Sequence, residues 1–449
     1  MKLDLSNLVQ LRAHQKDPAV WKCLKVRPDK RDPKTGEIEV EGSAMACLSN
    51  IHTILTRDRV WVDRFAFNEL TGQAELDGEP VTDADVVSVA LWLDQVYLCR
   101  ASNNQTHDII ANIAGERAYH PVRRYLEGLK WDGETRIDGL LVDYLGAADS
   151  SLYRAMGRKW MVSAVARALD PGCKVDQTLI LKGPQGSLKS TFFAALCNDG
   201  AWFKDTPIDL RNKDALQALQ GVWIYEFAEL DSIRPRESTT TKAFLSSQVD
   251  SYRPPYGRAF VQSKRQCVIV GTTNEDEFLA DRTGSRRFWP VEVGTIALDE
   301  VKADRDQLWA EAVAAFKSGE TWWLEGDQEL ELIDSSSAFS QIDAWEAPIS
   351  AWLLDGAGPR VECNPDLEAF TSRDVLHLVL ELPSSQQGRG AQMRVASILS
   401  ELGCTKSRRR WSDGPTSGPV VPTSQPGSVR QWRWLSPKMQ IVQQHGPRS

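Results

Sequence analysis

The sequence lacks several features that would assign it to a class at once. Its eight cysteines are scattered without a Cys-x-x-Cys pair, so neither a zinc site nor a disulfide framework is indicated. No stretch approaches the roughly 20 apolar residues of a membrane span, and the first residues lack the basic-then-apolar layout of a secretory signal. No internal repeat with a period of about 20–50 residues is visible, which excludes solenoids and propellers. We therefore expect reduced cysteines, no contact with a membrane, and a cytoplasmic location.

An excess of positive charge is also missing. The 449 residues include 53 Lys and Arg against 61 Asp and Glu, a formal net charge of -8, which argues against a uniformly basic nucleic-acid binder. Residues 401–449 differ, with eight basic and two acidic residues. The 42% hydrophobic and 25% charged residues are typical of globular proteins, and the length predicts about two to four domains.

Apolar periodicity divides the first three quarters of the chain into three regions. Residues 1–106 mix short β-like runs with a helical stretch and predict an α+β or helical domain. Residues 107–174 predict a helical linker region that ends in an amphipathic run from Asp149 through Ala168. Residues 175–325 alternate strand and helix patterns, which favours a parallel α/β sheet.

The last quarter of the chain has a different pattern. After an acidic, loop-rich stretch near Gly326–Ala344, residues 346–449 predict three helices followed by a hairpin with basic and Trp residues. This succession is typical of a winged-helix-like domain. The expected fold class is therefore multidomain, with an α/β core between an amino-terminal region and a basic carboxyl-terminal domain.

The strongest local pattern is Gly-Pro-Gln-Gly-Ser-Leu-Lys-Ser-Thr, which follows an apolar run and precedes a helical one. This context predicts a phosphate-binding loop, in which backbone amides and a helix N-terminus face the phosphates of ATP. Lys189 is expected to reach the β- and γ-phosphates, and the hydroxyl of Ser190 to hold Mg²⁺. Leu188 replaces the second glycine of the pattern, and a positive φ there would cost on the order of 1 kcal/mol. The predicted nucleotide-binding residues are Gly183, Pro184, Gln185, Gly186, Ser187, Leu188, Lys189, Ser190 and Thr191.

Polar residues end two further strand patterns of the same region. Glu226 is interpreted as a magnesium partner and Glu229 as the base that orients water, with the two roles interchangeable. Asn274 follows the next strand and is expected to contact the γ-phosphate or its attacking water. Beyond it, Arg286 and Arg287 are candidates to stabilise charge on the transferred phosphoryl group, in the same chain or in a neighbouring subunit.

Two segments interleave basic and aromatic residues, a pattern that suits phosphate contacts and base stacking. The first is a turn-containing segment that also includes Arg265. Its candidate DNA-binding residues are Tyr252, Arg253, Tyr256, Arg258 and Lys264. The second lies in the basic end of the chain and predicts a duplex-DNA surface. Its candidate residues are Arg408, Arg409 and Arg410.

Taken in order, four motifs resemble those of the virulence-associated E family: GPQGSLKST, GVWIYEFAELD, FLSSQVDSYRPPYGR and CVIVGTTNEDEFLADRTGSRRFWPV. The similarity spans about residues 107–300. Members of that family are similar to superfamily 3 helicases, which are AAA+-like P-loop ATPases encoded by phages, satellites and other mobile elements. The resemblance therefore implies an AAA+-like ATPase core.

The resemblance also implies roles for individual residues. It makes Lys189, Ser190 and Thr191 the Walker A residues, Glu226 and Glu229 the Walker B acids, and Asn274 the sensor. Arg286 or Arg287 would be the arginine finger that acts on the nucleotide of a neighbour, which implies a homo-oligomeric ring, commonly a hexamer. The Tyr252–Lys264 hairpin would be the loop that tracks DNA in the central channel.

The function predicted on these grounds is an ATP-dependent DNA helicase or translocase that acts on single-stranded and duplex DNA. It would serve replication of a phage or mobile element in the cytoplasm of a bacterial host. The alternative is a nucleotide-dependent DNA-binding switch, for origin binding or defence, which Leu188 slightly favours. A small-molecule kinase is a third alternative, disfavoured by the two basic-aromatic segments. Family relatives often carry a primase domain, and residues 1–106 are too few for one, so a separate primase is an expected partner.

Overall fold

The computed structural model describes residues 15–208, 213–228, 238–252, 261–275, 287–336, 343–355, 369–411 and 429–435. The chain divides into two compact units, Met1–Ser340 and Gln341–Ser449. Among the described residues, none of the helices combines the length and the apolar character that crossing a membrane requires.

The amino-terminal part of the first unit combines helices with small sheets. Its elements are α1 (Pro18–Trp21), β1 (Val26–Arg27), β2 (Lys30–Arg31), β3 (Ile38–Val40), β4 (Ser43–Ala44), α2 (Leu48–Arg57), β5 (Phe65–Asn68), β6 (Gln73–Leu76), β7 (Glu79–Pro80), α3 (Asp83–Tyr97), α4 (Asn103–Gly115) and β8 (Ala118–Tyr119). Strands β7, β6, β5 and β8 form a sheet in that order, in which β5 and β8 are parallel. Helices α2, α3 and α4 cover a core that includes the fully buried Trp61 and Trp92.

The remainder of the first unit is built on a parallel sheet. Its elements are α5 (Pro121–Gly128), α6 (Leu140–Asp143), α7 (Ser151–Leu169), β9 (Thr178–Lys182), α8 (Lys189–Leu196), β10 (Phe203–Lys204), β11 (Ile224–Ala228), α9 (Ser238–Leu245), β12 (Val249–Tyr252), β13 (Val261–Lys264), β14 (Val268–Thr273), β15 (Phe288–Glu292), α10 (Leu298–Lys317) and α11 (Asp327–Ser336). Strands β10, β11, β14, β9 and β15 pair in that order, all parallel. This confirms the predicted parallel α/β sheet.

Apolar runs explain two of the three inner strands of this sheet, β9 and β14. The first four residues of β9 are buried, as are five of the six residues of β14. Near-continuous burial is expected for parallel strands that are covered on both faces. Helices α7, α8 and α10 supply much of this cover, because they share one core with the sheet.

Helix α7 is more buried than its sequence predicts. Its first turn is capped by the Ser150 hydroxyl, which accepts a hydrogen bond from the Tyr153 amide. From Trp160 through Ala168 every residue is buried, so the amphipathic interpretation is wrong for this half of the helix. The reason is that α7 packs against the sheet on one side and α10 on the other, where Trp160 lies 6.4 Å from the ring of Trp309.

The acidic stretch after Gly326 is helical rather than loop-rich. Helix α11 continues to Ser336 and packs against α7 and β15. Leu332 is 1% exposed and anchors the helix in the main core. Asp327 and Glu329 lie in the first turn, where negative charge is favourable. The loop prediction is therefore wrong for this segment.

The second unit contains helices and a small antiparallel sheet. Its elements are α12 (Glu346–Asp355), β16 (Ala369–Phe370), α13 (Ser372–Asp374), a π-helical turn (Val375–Val379), α14 (Arg389–Glu401), β17 (Thr405–Trp411) and β18 (Val429–Leu435). The three strands pair in the order β16, β18, β17. Phe370, Val375, Leu376 and Leu399 are buried in the core of this unit.

Candidate nucleotide-binding site

The glycine-rich loop lies between β9 and α8, as the sequence predicts. Gly183 follows β9 directly, and a Cβ at this position would lie 2.9 Å from the Cγ2 atom of Val293. Gly186 has φ 82°, a conformation that glycine adopts without strain. Leu188 has φ 66°, so a side chain occupies the left-handed conformation that the missing glycine would favour. The loop therefore keeps a glycine-like backbone at Leu188.

Lys189, the first residue of α8, turns back onto this loop. Its side chain is 7% exposed, and its Nζ atom donates to the carbonyl oxygens of Gly183 (2.7 Å) and Pro184 (2.9 Å). Nζ also donates to Oδ1 of Asn274 at 2.9 Å, and it lies 3.3 Å from Oγ of Ser187. The predicted phosphate-binding lysine and the predicted sensor residue are thus in direct contact.

Glu226 lies next to this pair and is buried. It belongs to β11 and is 1% exposed, and its Oε1 atom accepts hydrogen bonds from the hydroxyls of Ser190 (2.8 Å) and Thr272 (2.5 Å). Its second oxygen, Oε2, is buried, and no residue in the described part of the chain hydrogen-bonds it. Burial raises the pKa of Glu226 above its ordinary value, and the two hydroxyl hydrogen bonds oppose that rise.

The order of the strands explains why these residues meet. Strands β11, β14 and β9 are neighbours, so their parallel carboxyl ends lie side by side. Glu226 and Asn274 come from the first two strands, and the loop from the third. Open α/β sheets bind ligands at this edge. We call Lys189, Ser190, Glu226, Thr272 and Asn274 the carboxyl-edge cluster.

The carboxyl-edge cluster fits Mg²⁺ and a nucleotide phosphate. An unsatisfied buried carboxylate oxygen beside a serine hydroxyl is an oxygen donor set of the kind that Mg²⁺ prefers. Within the described ranges, no group of three or more His, Cys, Asp and Glu residues is arranged to hold a metal. A magnesium site that shares the ion with phosphates does not need such a group. Thr272 was missed by the sequence analysis, because its contact depends on the adjacency of β11 and β14.

Arg287 lies at the opposite end of the parallel strands, where the strands begin. It precedes β15, its Nε atom donates to Oγ of Ser246 at 3.1 Å, and the same atom is 3.9 Å from the Asp176 carboxylate. Asp176 precedes β9, so this region is at the amino ends of the strands. The structure does not bring Arg287 to the loop of its own chain. Glu229 and Arg286 lie outside the described residues.

The predicted DNA hairpin forms its two strands. β12 and β13 pair antiparallel from Val249 with Lys264 to Tyr252 with Val261. Lys264 is exposed, as a DNA-contacting residue must be. Arg253, Tyr256 and Arg258 lie outside the described residues. Arg408, Arg409 and Arg410 are on β17, which pairs with β18 in the second unit.

Arg265 corrects one expectation. The sequence pattern groups it with the basic residues of the hairpin, but its side chain is 2% exposed. Its guanidinium is paired with the buried carboxylate of Asp250. It is therefore unavailable to DNA. The sequence does place an acidic residue, Asp250, in one half of the hairpin and Arg265 in the other, so an ion pair between them could have been predicted. The burial of that pair could not.

Several solved structures resemble the chain at low sequence identity. The apo structure of the NrS-1 C-terminal region is 12% identical, covers 76% of this chain and 83% of that chain, and gives a TM-score of 0.41. Its A form is 11% identical, with coverage of 69% and 77% and a TM-score of 0.40. The X-ray structure of JCV helicase is 13% identical, with coverage of 57% and 80% and a TM-score of 0.23.

The comparison with protein families agrees with the resemblance noted from the motifs. No curated protein matches the sequence significantly. The family model of the virulence-associated protein E-like domain matches residues 126–341. This match includes the whole carboxyl-edge cluster and the strands of the hairpin. Residues 126–341 are therefore similar to the virulence-associated protein E-like domain.

Proposed function

We propose that this protein is an ATP-hydrolysing DNA helicase or translocase that serves replication of a phage or mobile element. One observation carries the proposal: in the carboxyl-edge cluster, a lysine that bonds the glycine-rich loop lies beside a buried carboxylate with only one oxygen bonded among the described residues. Donors and acceptors for a phosphate chain and a divalent cation are thus adjacent. The match of residues 126–341 to the virulence-associated protein E-like domain supports the same chemistry.

We assign a different role in nucleotide binding to each residue of the carboxyl-edge cluster. Backbone amides of the loop and Lys189 bind the phosphates, for which Lys189 exchanges its bonds to Gly183 and Pro184. Ser190 and Glu226 would hold Mg²⁺, which would supply positive charge to neutralise the transferred phosphoryl group. Thr272 fixes the orientation of Glu226. Asn274 holds Lys189 before the nucleotide arrives and thereby senses whether the γ-phosphate is present.

Two further parts of the ATPase proposal depend on residues away from this cluster. Glu229 is proposed to orient the attacking water. Arg287 lies far from its own loop in the sheet, so it, or its neighbour Arg286, would complete the site of another subunit. That requirement supports a homo-oligomeric ring, commonly a hexamer, with an AAA+-like core.

The hairpin is proposed to track single-stranded DNA, with Tyr252, Arg253, Tyr256, Arg258 and Lys264 as contacts. Steady-state ATP hydrolysis, measured with and without single-stranded DNA, tests this proposal. We expect multiple turnovers that single-stranded DNA accelerates several-fold. Turnover that DNA leaves unchanged would contradict a motor.

A nucleotide-dependent switch is the second candidate, and the left-handed backbone of Leu188 favours it. A strained residue beside the catalytic lysine would slow hydrolysis more than binding. Under the switch proposal, nucleotide binding alone would order a DNA complex at an origin or in defence. Tight ATP binding with a single turnover, and no strand separation, would support this candidate against the helicase.

The second unit is proposed to be a winged-helix-like domain that binds duplex DNA. The element order of helix, strand, helix, helix, strand, strand and the central position of β18 support this proposal. Replacing Arg408, Arg409 and Arg410 with Ala should weaken duplex binding. If all three contact phosphates, the slope of log affinity against log salt falls by about 2–3. An unchanged slope would exclude β17 from the DNA interface.

The proposed partners follow from this function. Single-stranded and duplex DNA are the substrates, ATP and Mg²⁺ are the cofactors, and a separate primase would supply primers. The reaction would take place in the cytoplasm of a bacterial host.

A further inference from the structure

The base of the hairpin contains a buried ion pair that the proposed function does not use. Arg265 directly follows β13, and Asp250 belongs to β12. Nε and Nη2 of Arg265 donate to the two carboxylate oxygens of Asp250 at 3.0 and 2.5 Å. Both side chains are 2% exposed. The pair therefore joins the two strands of the hairpin at their root, away from solvent.

The remaining polar groups of Arg265 join the root to the rest of the unit. Nη1 donates to the carbonyl oxygen of Phe244, the next-to-last residue of α9, and the guanidinium lies 4.6 Å from the centre of the Phe244 ring. The backbone oxygen of Arg265 accepts hydrogen bonds from the Gly172 amide and from Nη1 of Arg167. A single residue thus connects the hairpin with α9 and with the buried helix α7. We call Arg167, Asp250 and Arg265 the hairpin root.

Arg167 strengthens this connection. It is 1% exposed on α7, and its Nη2 atom donates to the carbonyl oxygens of Val175 (2.9 Å) and Ser247 (3.4 Å). Val175 precedes β9, the strand that leads into the phosphate-binding loop. The hairpin root is therefore fixed to two strands whose opposite ends belong to the nucleotide site.

The second of these strands is β14. It begins three residues after Arg265, and its six residues span roughly 20 Å. Asn274 follows it and contacts Lys189. One continuous strand, paired with β11 on one side and β9 on the other, therefore connects Asn274 beside the predicted phosphate-binding lysine with Arg265 at the base of the hairpin.

We propose that Arg265 and Asp250 are positioning residues that make the hairpin move as one body with β14, so that the nucleotide state at Asn274 sets the position of the hairpin. This inference rests on the proposed function. Arg265 acts through the strands and not by contact with DNA, because it is buried. A rigid root is required for this role, since a hairpin joined by a flexible base would not follow the strand.

The test compares Arg265→Lys with the wild-type full-length chain. Lysine keeps the charge but cannot bond both carboxylate oxygens through a planar fork. We expect basal ATP hydrolysis and ATP affinity to stay within about two-fold. At saturating single-stranded DNA, the maximum stimulation should fall by at least about five-fold.

Lys264→Ala supplies the contrast, because this neighbouring lysine is exposed. It should raise the DNA concentration needed for half-maximal stimulation and leave the maximum in place. If Arg265→Lys only raises the DNA concentration needed for half-maximal stimulation, or keeps full stimulation, the positioning role is wrong.

Asp250→Asn provides a second variant, and it should reproduce the effect of Arg265→Lys. Loss of ATP binding in both variants would mean that the pair serves only the fold, and would overturn the inference.

Hydrogen–deuterium exchange separates this inference from the proposed function. In the wild type, a non-hydrolysable ATP analogue should change exchange in peptides covering β12 and β13, and Arg265→Lys should abolish that change. Failure of the wild type to bind the analogue would contradict the proposed function itself. Binding without any change in the hairpin strands would contradict the positioning role alone.

Discussion

The two edges of the parallel sheet hold buried polar residues of opposite character. At the carboxyl edge, Oε1 of Glu226 accepts two hydrogen bonds, while Oε2 has no partner among the residues that the structure describes. At the amino edge, Arg265 and Asp250 satisfy each other through two parallel hydrogen bonds. Glu226 is 1% exposed and Asp250 and Arg265 are each 2% exposed, so burial does not distinguish them. What differs is that Asp250 and Arg265 bond each other, whereas no described residue bonds Oε2 of Glu226, although Nε of Arg167 beside the pair is also buried without a described partner. We interpret the open carboxylate oxygen as preparation for a ligand and the Asp250–Arg265 pair as a contact that stabilises the fold.

The largest effect that would test this comparison is the loss of Asp250. Asp250→Ala leaves the Arg265 guanidinium buried without its carboxylate, and the free energy of unfolding should fall by about 3–5 kcal/mol. Chemical denaturation of the full-length protein measures this value. Asp149→Ala is the matched control, because it breaks the exposed ion pair with Arg154 and should leave stability close to wild type.

Replacing the buried carboxylate at the carboxyl edge should not lower the free energy of unfolding. Glu226→Gln keeps the shape of the side chain and removes a charge that burial disfavours. We expect the variant to be at least as stable as the wild type without nucleotide, while ATP turnover falls by about 100-fold. A large loss of stability in this variant would mean that Glu226 serves the fold, and the distinction between the two edges would fail.

A smaller effect is expected at Leu188, the residue with left-handed backbone in the loop. Leu188→Gly removes the steric strain at φ 66° and should raise the free energy of unfolding by about 1 kcal/mol. Leu188→Ala retains a Cβ and should change little, since the leucine side chain is 46% exposed. Faster turnover in the glycine variant would support a loop adapted for slow hydrolysis. Equal stability of the two variants would show that the backbone is not strained.

The smallest effect concerns pH at the amino edge. His120 accepts a hydrogen bond from the Arg123 amide through Nδ1, and its Nε2 lies 2.6 Å from Oε1 of Gln266. Burial lowers the pKa of His120 below its ordinary value. The folded state therefore resists protonation, and the stability that neutral His120 contributes is present above its unfolded pKa and is lost as the pH falls.

His120→Asn isolates this contribution, because asparagine caps a helix without titrating. The melting temperature of the wild type should fall relative to the variant as the pH decreases below about 6.5. The difference between the two proteins should be constant above that pH. A difference that does not depend on pH would remove His120 as the cause.

The sequence predicts the carboxyl edge better than the amino edge. The glycine-rich loop, the polar ends of two strands and the parallel sheet follow from local patterns, because loops and strand ends have characteristic residues. The contact of Thr272 with Glu226 requires the order of the strands, which no local pattern encodes. Arg265 is misread for the same reason, since its partner and its burial depend on how the hairpin packs against α7 and α9.

Helices show a related limit. The run from Ser151 to Leu169 has a helical pattern and forms α7, but the complete burial of its second half depends on α10, which lies far along the chain. The acidic residues around Leu332 suggested a loop, although a single buried leucine and a favourable first turn suffice to hold α11. Local composition therefore predicts where elements occur more reliably than what covers them.

The most direct test of the central claim is ATP binding by Lys189→Ala in the presence of Mg²⁺, measured by calorimetry beside the wild type and Lys174→Ala. Lys174 is an exposed lysine at the amino edge. The Lys174→Ala variant should therefore bind ATP as the wild type does. We expect Lys189→Ala to lose at least about 100-fold in affinity or turnover, because no other residue of the cluster supplies a positive charge. Unchanged ATP binding and turnover in Lys189→Ala would contradict the assignment of the carboxyl edge as a nucleotide site.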